Sequence, residues 1–252
     1  MASLSPRQGS QADEAGCRID TKKYTGSMAK QFKKTVIAID GPAGSGKSTV
    51  SKLVAKRLGL LYIDTGAMYR ALTLKAMRSG ADLEDEGGLV ELARSTDIEL
   101  GCKDEIAVVL LDGENVAGLI RTADLTNKVK YIARVPGVRR EMVRMQRCMG
   151  EKSGAVMEGR DITTVVFPDA DYKFYLDADP EERARRRFKE LKDAGSSVTL
   201  EEIIKDVVAR DESDMRRSVG ALKVADDAIV IDTTDLSIDG VVNEIMKKIS
   251  QA

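Results

Sequence analysis

The chain has 252 residues, 42% of them hydrophobic and 32% charged, and its 40 Lys and Arg against 41 Asp and Glu give a formal charge of −1. Such a chain can bury one good core, or a core with a smaller appended lobe, and its charge gives no global reason to expect a nucleic acid or a membrane as partner. Histidine is absent, which excludes histidine metal sites, histidine acid–base chemistry and Ser-His-Asp catalysis.

The cysteines and the N-terminal segment narrow the class of protein further. Cys17, Cys102 and Cys148 are far apart and form no C-x-x-C pair, so neither a zinc site nor a disulfide framework is predicted. Free thiols are typical of a reducing compartment and predict a cytoplasmic protein. Residues 1–31 are polar, lack periodicity and lack the apolar segment of a signal peptide, which predicts a flexible tail before a single domain over residues 32–252.

The first predicted strand leads directly into a phosphate-binding loop. An apolar run at 36–39 precedes residues 41–48, GPAGSGKS, and a helical pattern follows over 49–58. The loop matches G-x-x-x-x-G-K-[ST] at every fixed position, with the strand before it and the helix after it that this motif needs. Its backbone N–H groups and the helix start can cradle phosphates, while Lys47 reaches the terminal phosphates and the Ser48 hydroxyl ligates Mg²⁺. The residues predicted to bind the phosphates of a nucleotide cofactor are Gly41, Pro42, Ala43, Gly44, Ser45, Gly46, Lys47, Ser48 and Thr49.

The middle of the chain departs from strand–helix alternation. A short strand at 60–63 and a helix at 67–78 come first, followed by an acidic segment and a short helical pattern up to about residue 94. Short strands then follow one another between residues 97 and 116, with Asp112-Gly113 as a hairpin signal. This stretch predicts a small antiparallel insert, the candidate second lobe.

The remaining elements alternate between helix and strand. Helices are predicted at 123–134, 136–150, 180–193, 200–217 and 238–249, and strands at 155–157, 172–176 and 228–231. The alternation predicts an α/β fold with a parallel sheet covered by helices on both faces. Functional side chains should then gather beyond the carboxyl ends of the strands.

The loop motif is shared by GTPases, ATPases and small-molecule kinases, so other residues must discriminate. The near match to the guanine-reading N-K-x-D motif, residues 127–130, ends in lysine and lies within a helical pattern, which argues against a GTPase. Arginines and aspartates follow separate strands or lie on helices near them: Arg70, Arg160, Arg210, Arg216 and Arg217, with Asp64, Asp161 and Asp214. Dispersed guanidinium groups suit phosphoryl transfer, which needs positioning and positive charge. The run Arg183, Arg185, Arg186 and Arg187 fits either this role or a solvated helix with i,i+4 ion pairs.

The ordered set of motifs resembles that of bacterial-type cytidylate (CMP) kinases, from about residue 35 to the C-terminus. The motifs that carry the resemblance are 39–49 (IDGPAGSGKST), 64–70 (DTGAMYR), 120–122 (IRT), 159–162 (GRDI), 164–170 (TVVFPDA), 181–187 (EERARRR) and 210–217 (RDESDMRR). Other P-loop kinases share the first motif but not this set.

The resemblance implies a P-loop NTPase fold with an insert lobe for the monophosphate, about residues 81–134, and a lid, about 180–195. It implies Mg²⁺- and ATP-dependent phosphorylation of CMP or dCMP by a monomer, with neither a nucleic acid nor a membrane as partner. Lys47, Arg160, Arg183 and Arg187 would be catalytic, and Ser48 would ligate the metal. The acceptor would be bound by Thr65, Arg70, Lys130, Arg139, Arg160, Asp161, Arg210, Asp214 and Arg217. Of these, the resemblance puts Arg70, Arg160 and Arg217 on the phosphate, Arg139 and Asp161 on cytosine, and Arg210 and Asp214 on the sugar.

Three departures from the family pattern bear on the acceptor site. Lys130 stands where a serine is common, Thr163 replaces a glycine, and Gly220-Ala221 replaces a pair that contains proline. A lysine donates hydrogen bonds but cannot accept them, so Lys130 leaves the base or sugar preference open. The alternatives are another small P-loop kinase, for UMP, shikimate or gluconate, and a nucleotide-binding regulatory protein that does not catalyse transfer.

Overall fold

The structure is a computed structural model, and it describes residues 32, 34–103, 106–193 and 195–251. The segment predicted to be a flexible tail, residues 1–31, therefore lies outside the described residues. Within the described part of the chain, no helix has both the length and the apolar composition that crossing a membrane requires.

A five-stranded parallel sheet forms the centre of the molecule, in the order β2-β6-β1-β7-β8. Its strands are β1 (Val36–Asp40), β2 (Leu61–Asp64), β6 (Ala155–Gly159), β7 (Tyr172–Asp177) and β8 (Ile229–Asp232). The register pairs Asp40 with Gly159 and Tyr175, and Asp64 with Glu158. The polar residues that end these strands therefore share one edge of the sheet, as the alternation predicts.

Helices cover both faces of this sheet. They are α1 (Lys47–Leu58), α2 (Thr65–Ser79), α3 (Glu86–Arg94), α4 (Ala123–Ala133), α5 (Pro136–Ser153), α6 (Pro180–Asp193), α7 (Leu200–Met215) and α8 (Ile238–Gln251). On one face, α1 and α8 pack their apolar residues against β1, β7 and β8 around the fully buried Phe174. On the other face, α2 and α5 do so against β1, β2 and β6. Both faces of the central strands β1 and β6 are therefore dry, which explains their continuous apolar runs.

The predicted antiparallel insert is present and consists of β3 (Ile98–Lys103), β4 (Ile106–Leu111) and β5 (Glu114–Asn115). The hairpin between β4 and β5 turns at Asp112, whose φ is 48°, and at Gly113. Leu100, Val109 and Leu111 belong to the same apolar cluster as the α2 face of the main sheet. The insert thus shares a core with the sheet.

The paired helices α6 and α7 are organised differently. Ala184, Ile203 and Val207 form a small apolar cluster between them, separate from the clusters on the two sheet faces. A capping box fixes the start of α7, because Thr199 and Glu202 each accept a hydrogen bond from the other's backbone N–H. The lid predicted over residues 180–195 covers α6 but not α7.

One element has no counterpart in the sequence prediction. Residues Ile162–Val166 form a π-helical turn directly after β6, between Asp161 and Phe167. Elsewhere the predicted elements are confirmed, with boundaries that differ by a few residues; α7, for example, ends at Met215 and not at Arg217.

Candidate active site

The phosphate loop connects β1 to α1 and leaves the start of α1 open to an anion. Gly46 caps the helix without a side-chain hydrogen bond, and the first turn carries no acidic residue. The free N–H groups and the helix dipole therefore favour a phosphate here. Gly44 has a φ of 81°, a conformation that favours glycine, and a β-carbon there would lie in tight contact with Arg183 at 3.1 Å.

Lys47 is buried beneath this loop. Its Nζ donates to the carbonyl of Pro42 (2.5 Å) and to the hydroxyl of Ser45 (3.2 Å). Burial, and then the charge of Arg160, lower the pKa of Lys47 to about 7, while Glu158 and Asp40 act in the opposite direction. A phosphate beside this ammonium would restore its charged form, because an opposite charge favours ionisation.

The turn after β6 brings two of the predicted arginines onto one carboxylate. The Nε of Arg160 donates to one carboxylate oxygen of Asp214 (2.8 Å), and Arg217 pairs with the other. The Asp214 side chain is only 3% exposed, and although burial raises its pKa, Arg160 and Arg217 lower it below its usual value. Asp214 therefore holds two guanidinium groups side by side at the edge of the sheet.

The next residue of the same turn, Asp161, forms a buried ion pair with Arg139 of α5. The Arg139 guanidinium lies over the ring of Tyr69, 5.6 Å from its centroid. The Tyr69 hydroxyl and the Nε of Arg139 are buried, and neither has a hydrogen-bond partner among the described residues. Such groups are costly to bury unless a ligand satisfies them, so this corner has the character of a polar binding pocket.

Gly220 closes that pocket from the loop after α7. Its φ is 65°, and a β-carbon there would overlap both the guanidinium of Arg139 and the carboxylate of Asp161. The residue is therefore glycine for two reasons, its backbone conformation and the lack of space above the ion pair.

Arg70 approaches from α2. Its Nη2 pairs with Asp64 (3.0 Å), which also caps α2 and pairs with Arg121 (3.3 Å). Thr65, the first residue of α2, donates its hydroxyl to the backbone carbonyl of Glu158 (2.7 Å). Thr65 therefore lies at the end of β6, and Arg70 lies at the end of the neighbouring strand β2.

Arg210 lies among the other cations of the site. Desolvation, and then the charge of Arg160, lower its pKa to about 10, and Arg70 and Arg187 contribute to the lowering. Arg160, Arg70 and Arg187 therefore lie close enough to act on the charge of Arg210, and Arg160 and Arg210 lie close enough to act on that of Lys47. Excess positive charge held in this way is suited to a polyanionic ligand.

The arginine run on α6 divides into two groups. Arg185 and Arg187 pair with glutamates on the helix surface, as a solvated helix would. Arg183 and Arg186 point inward. Arg183 donates to the carbonyl of Ala43 in the phosphate loop (3.1 Å) and pairs with Asp211 of α7 (2.7 Å). Arg186 donates to the carbonyl oxygens of Thr233 (2.6 Å) and Thr234 (3.1 Å), after β8.

Lys130 is the predicted site residue that the structure does not bring into the cluster. Its side chain is exposed, with Nζ 5.2 Å from the centroid of the neighbouring Tyr131 ring. None of the described contacts joins it to Arg139 or Asp161.

Sequence reasoning missed polar residues that the sheet edge brings to the site, above all Glu158, Tyr62 and Asp40. Glu158 is buried and accepts hydrogen bonds from Tyr62 (2.5 Å) and from the Ser48 side chain. Burial and the nearby Asp64 raise the pKa of Glu158. Their place in the sequence could have indicated these carboxylates, because each of them ends, or nearly ends, a strand of the parallel sheet: Asp40, Asp64 and Glu158.

These oxygen ligands fit Mg²⁺. The Ser48 hydroxyl and the Glu158 carboxylate, which are joined by a hydrogen bond, are hard oxygen ligands next to the phosphate loop. In such sites Mg²⁺ is held by one or two carboxylates together with the phosphates of the substrate. The site as a whole can thus hold a triphosphate at one end and an anionic, hydrogen-bonding acceptor at the other.

The family model and the most similar curated proteins all point to the same family. Residues 37–251 match the family model described as "Cytidylate kinase". The cytidylate kinase of Clostridioides difficile (strain 630) is 49% identical over 215 residues, 85% of this chain and 98% of that protein. That of Desulforamulus reducens is 53% identical over 210 residues, 83% of this chain and 94% of that protein. That of Bacillus velezensis is 49% identical over 219 residues, 87% of this chain and 98% of that protein.

Solved structures give a more distant likeness. The shikimate kinase of Bacteroides thetaiotaomicron aligns with a TM-score of 0.45 at 13% identity, over 86% of this chain and 98% of that one. This likeness is too weak to bear on the reaction, and the match of the family model over nearly all of the described residues decides the assignment. The alternatives of a shikimate or gluconate kinase and of a non-catalytic binding protein therefore fall away, and the chain belongs to the cytidylate kinase family of enzymes.

Proposed function

We propose that the protein transfers the γ-phosphoryl group of ATP to CMP and dCMP, with Mg²⁺ as the metal ion and without a covalent intermediate. The observation that carries the proposal is the Gly159–Asp161 turn. Arg160 there is held beside Arg217 by Asp214, and Asp161 is paired with Arg139. One short segment thus presents a phosphate-binding group and a base-reading group next to Lys47.

In this proposal the donor and acceptor phosphates meet between Lys47 and the arginines. Gly41–Thr49 hold the ATP phosphates, and Lys47 and Arg183 neutralise the charge of the moving phosphoryl group. Arg187, which lies on the surface of α6, would join them when α6 and α7 close over ATP. Arg70, Arg160 and Arg217 hold the phosphate of the acceptor. Bound Mg²⁺, held by Ser48 with Glu158 behind it, would add positive charge at the ATP phosphates. The acceptor phosphate is largely ionised near neutral pH, so no strong general base is needed, which agrees with the absence of histidine.

The base pocket suits cytosine. Cytosine offers an N4 amino donor beside acceptor atoms, so a carboxylate and a guanidinium can satisfy it together. Uracil has a carbonyl in place of the amino group and would leave the Asp161 carboxylate facing an acceptor. Arg210 and Asp214 would bind the sugar, and the exposed position of Lys130 favours contact with the edge of the nucleotide over contact with the buried ion pair.

We further propose that the enzyme acts as a monomer in the cytoplasm, with ATP and the two monophosphates as its partners and with neither a nucleic acid nor a membrane. Support comes from the near-zero net charge and from Cys148, which is a free thiol. Closure of α6 and α7 over ATP would exclude water, since an open site would hydrolyse ATP.

A substrate panel tests the proposal. We expect turnover on CMP and dCMP and far slower turnover on UMP and AMP in a coupled ADP-release assay. The Asp161→Asn variant should lose about two orders of magnitude in kcat/KM for CMP, because it removes one charge of a buried pair. The exposed Asp169→Asn is the matched control and should behave as wild type. Equal or faster use of UMP or AMP by the wild-type protein would overturn the substrate assignment.

A further inference from the structure

Asp40 is a fully buried carboxylate at the junction of the two halves of the site. It is the last residue of β1, immediately before the phosphate loop, and has no exposed surface. It accepts hydrogen bonds from the backbone N–H groups of Ile162 (2.9 Å) and Thr163 (2.7 Å) and from the Thr163 hydroxyl (2.6 Å). All three donor groups belong to the π-helical turn that follows Arg160 and Asp161.

The position of this carboxylate matters because the sheet ends there. The β1–β6 ladder stops at the pair Asp40 and Gly159, so backbone hydrogen bonds between these strands do not extend to Arg160 or Asp161. The bonds from Ile162 and Thr163 to Asp40 connect the chain beyond β6 back to the end of β1 instead. They span 122 and 123 residues of sequence and join the acceptor side of the site to the donor side.

We propose that Asp40 is a positioning residue for phosphoryl transfer, whose carboxylate fixes the Arg160–Asp161 turn against the phosphate loop and depends on the Thr163 hydroxyl as its side-chain donor. The inference rests on the function proposed above, in which Arg160 and Asp161 bind the acceptor. Asp40 touches neither substrate in this arrangement. It acts through the two residues that do.

The electrostatic surroundings explain why the hydroxyl matters. Burial raises the pKa of Asp40 to about 6. The hydrogen bonds from the Thr163 hydroxyl and from the two backbone N–H groups act in the opposite direction and lower this pKa. The groups facing it are Asp161 from the same turn, Lys47 from α1, Arg160 after β6 and Tyr175 from β7. Above this pKa the carboxylate accepts all three bonds as an anion; below it, the neutral acid is a weaker acceptor and the turn loosens.

The test compares Thr163→Val, which keeps the shape but removes the donor, with Thr163→Ser, which keeps the donor. Thr164→Val is the matched control, since Thr164 is the next residue of the same turn but is not a donor to Asp40. For each variant we would measure KM for CMP and for ATP between pH 5 and pH 8, CMP binding by calorimetry, and the thermal unfolding midpoint.

We expect Thr163→Val to raise KM for CMP about tenfold at pH 6.5, the loss expected for one hydrogen bond to a charged group, with KM for ATP unchanged. The acidic limb of its kcat/KM profile should move about one unit to higher pH, because the pKa of Asp40 rises when the donor is lost. The acceptor phosphate titrates in the same range but is common to all variants, so the shift between variants is the readout. Thr163→Ser and Thr164→Val should follow the wild type.

Three outcomes would overturn the inference: an unshifted profile for Thr163→Val, an equal shift for Thr164→Val, or failure of Thr163→Ser to restore the wild-type profile. If Thr163→Val does not fold, Thr163→Ala takes its place with the same expected direction. Failure of the function proposed above is distinguishable, because the wild-type protein would then not use CMP at any pH.

Discussion

At the scale of single residues, the acceptor pocket depends on a few side chains that have almost no freedom to move. Arg139 and Asp161 are both nearly inaccessible, and Tyr69 lies under the guanidinium. Gly220 lies directly above the pair. A substitution at this glycine is therefore expected to disturb the reading of the base more than the stability of the fold.

We predict that Gly220→Ala raises KM for CMP about tenfold or more, because the added methyl group displaces a buried, hydrogen-bonded ion pair. Gly80→Ala is a matched control: Gly80 has the same φ of 65°, but a β-carbon there meets nothing within 4 Å. Both variants should lose about 1–2 kcal/mol of unfolding free energy from left-handed backbone strain. Steady-state kinetics and thermal unfolding separate the two effects, and an unchanged KM in Gly220→Ala would contradict the prediction.

At the scale of elements, the helix pair α6 and α7 is tied to the phosphate loop by polar contacts and has its own small apolar cluster. Arg183 is the principal tie, since its guanidinium is bound by Asp211 and by the carbonyl of Ala43. Elements that bury little apolar surface against the main core open more easily. On the function proposed above, we expect the pair to close and open over ATP, with Arg183 linking that motion to the loop.

Asp211→Ala should cost about 3 kcal/mol of unfolding free energy, because it leaves the buried guanidinium of Arg183 without its carboxylate. It should also raise KM for ATP, since the contact to Ala43 loses its support, while KM for CMP changes little. Glu212→Ala, next to it on α7, removes only the exposed pair with Arg216 and should change stability by less than about 0.5 kcal/mol. Equal effects of the two variants on KM for ATP would argue against a role of Arg183 in positioning the loop.

At the scale of the whole molecule, one apolar cluster joins the insert to the main sheet. Leu100 and Leu111 of the insert and Leu61 and Met157 of the sheet belong to it together with the buried face of α2. A shared core couples the stability of its parts. We therefore expect the insert and the sheet to unfold as one unit.

The Leu111→Ala variant tests this coupling. It should lower the unfolding free energy by about 2–5 kcal/mol, because Leu111 is buried. Far-ultraviolet circular dichroism and tyrosine fluorescence should both show a single unfolding transition with the same lowered midpoint. Leu119→Ala is the control, because Leu119 is 45% exposed and its truncation should have little effect. Two separate transitions, with only one of them moved by Leu111→Ala, would show that the insert unfolds independently.

Local patterns in the sequence determined the strands, the helices, the phosphate loop and the antiparallel insert, since each of these depends on neighbouring residues. The spacing of motifs also indicated the family, which the relatives confirm. The π-helical turn was not predicted, because Ile162–Val166 is apolar and β-branched and its conformation depends on hydrogen bonds to the distant Asp40.

Only the tertiary structure decided which charges meet. Asp214 lies 54 residues from Arg160, Arg139 lies 22 residues from Asp161, and the same sequence allowed each of them to be an ordinary surface charge. It also decided that Arg183 and Arg186 turn inward while Arg185 and Arg187 remain on the surface of the same helix. The physical reason is that the pairing, desolvation and pKa of a charged group depend on what packing places around it, and that packing is set by strand order and register across the whole sheet.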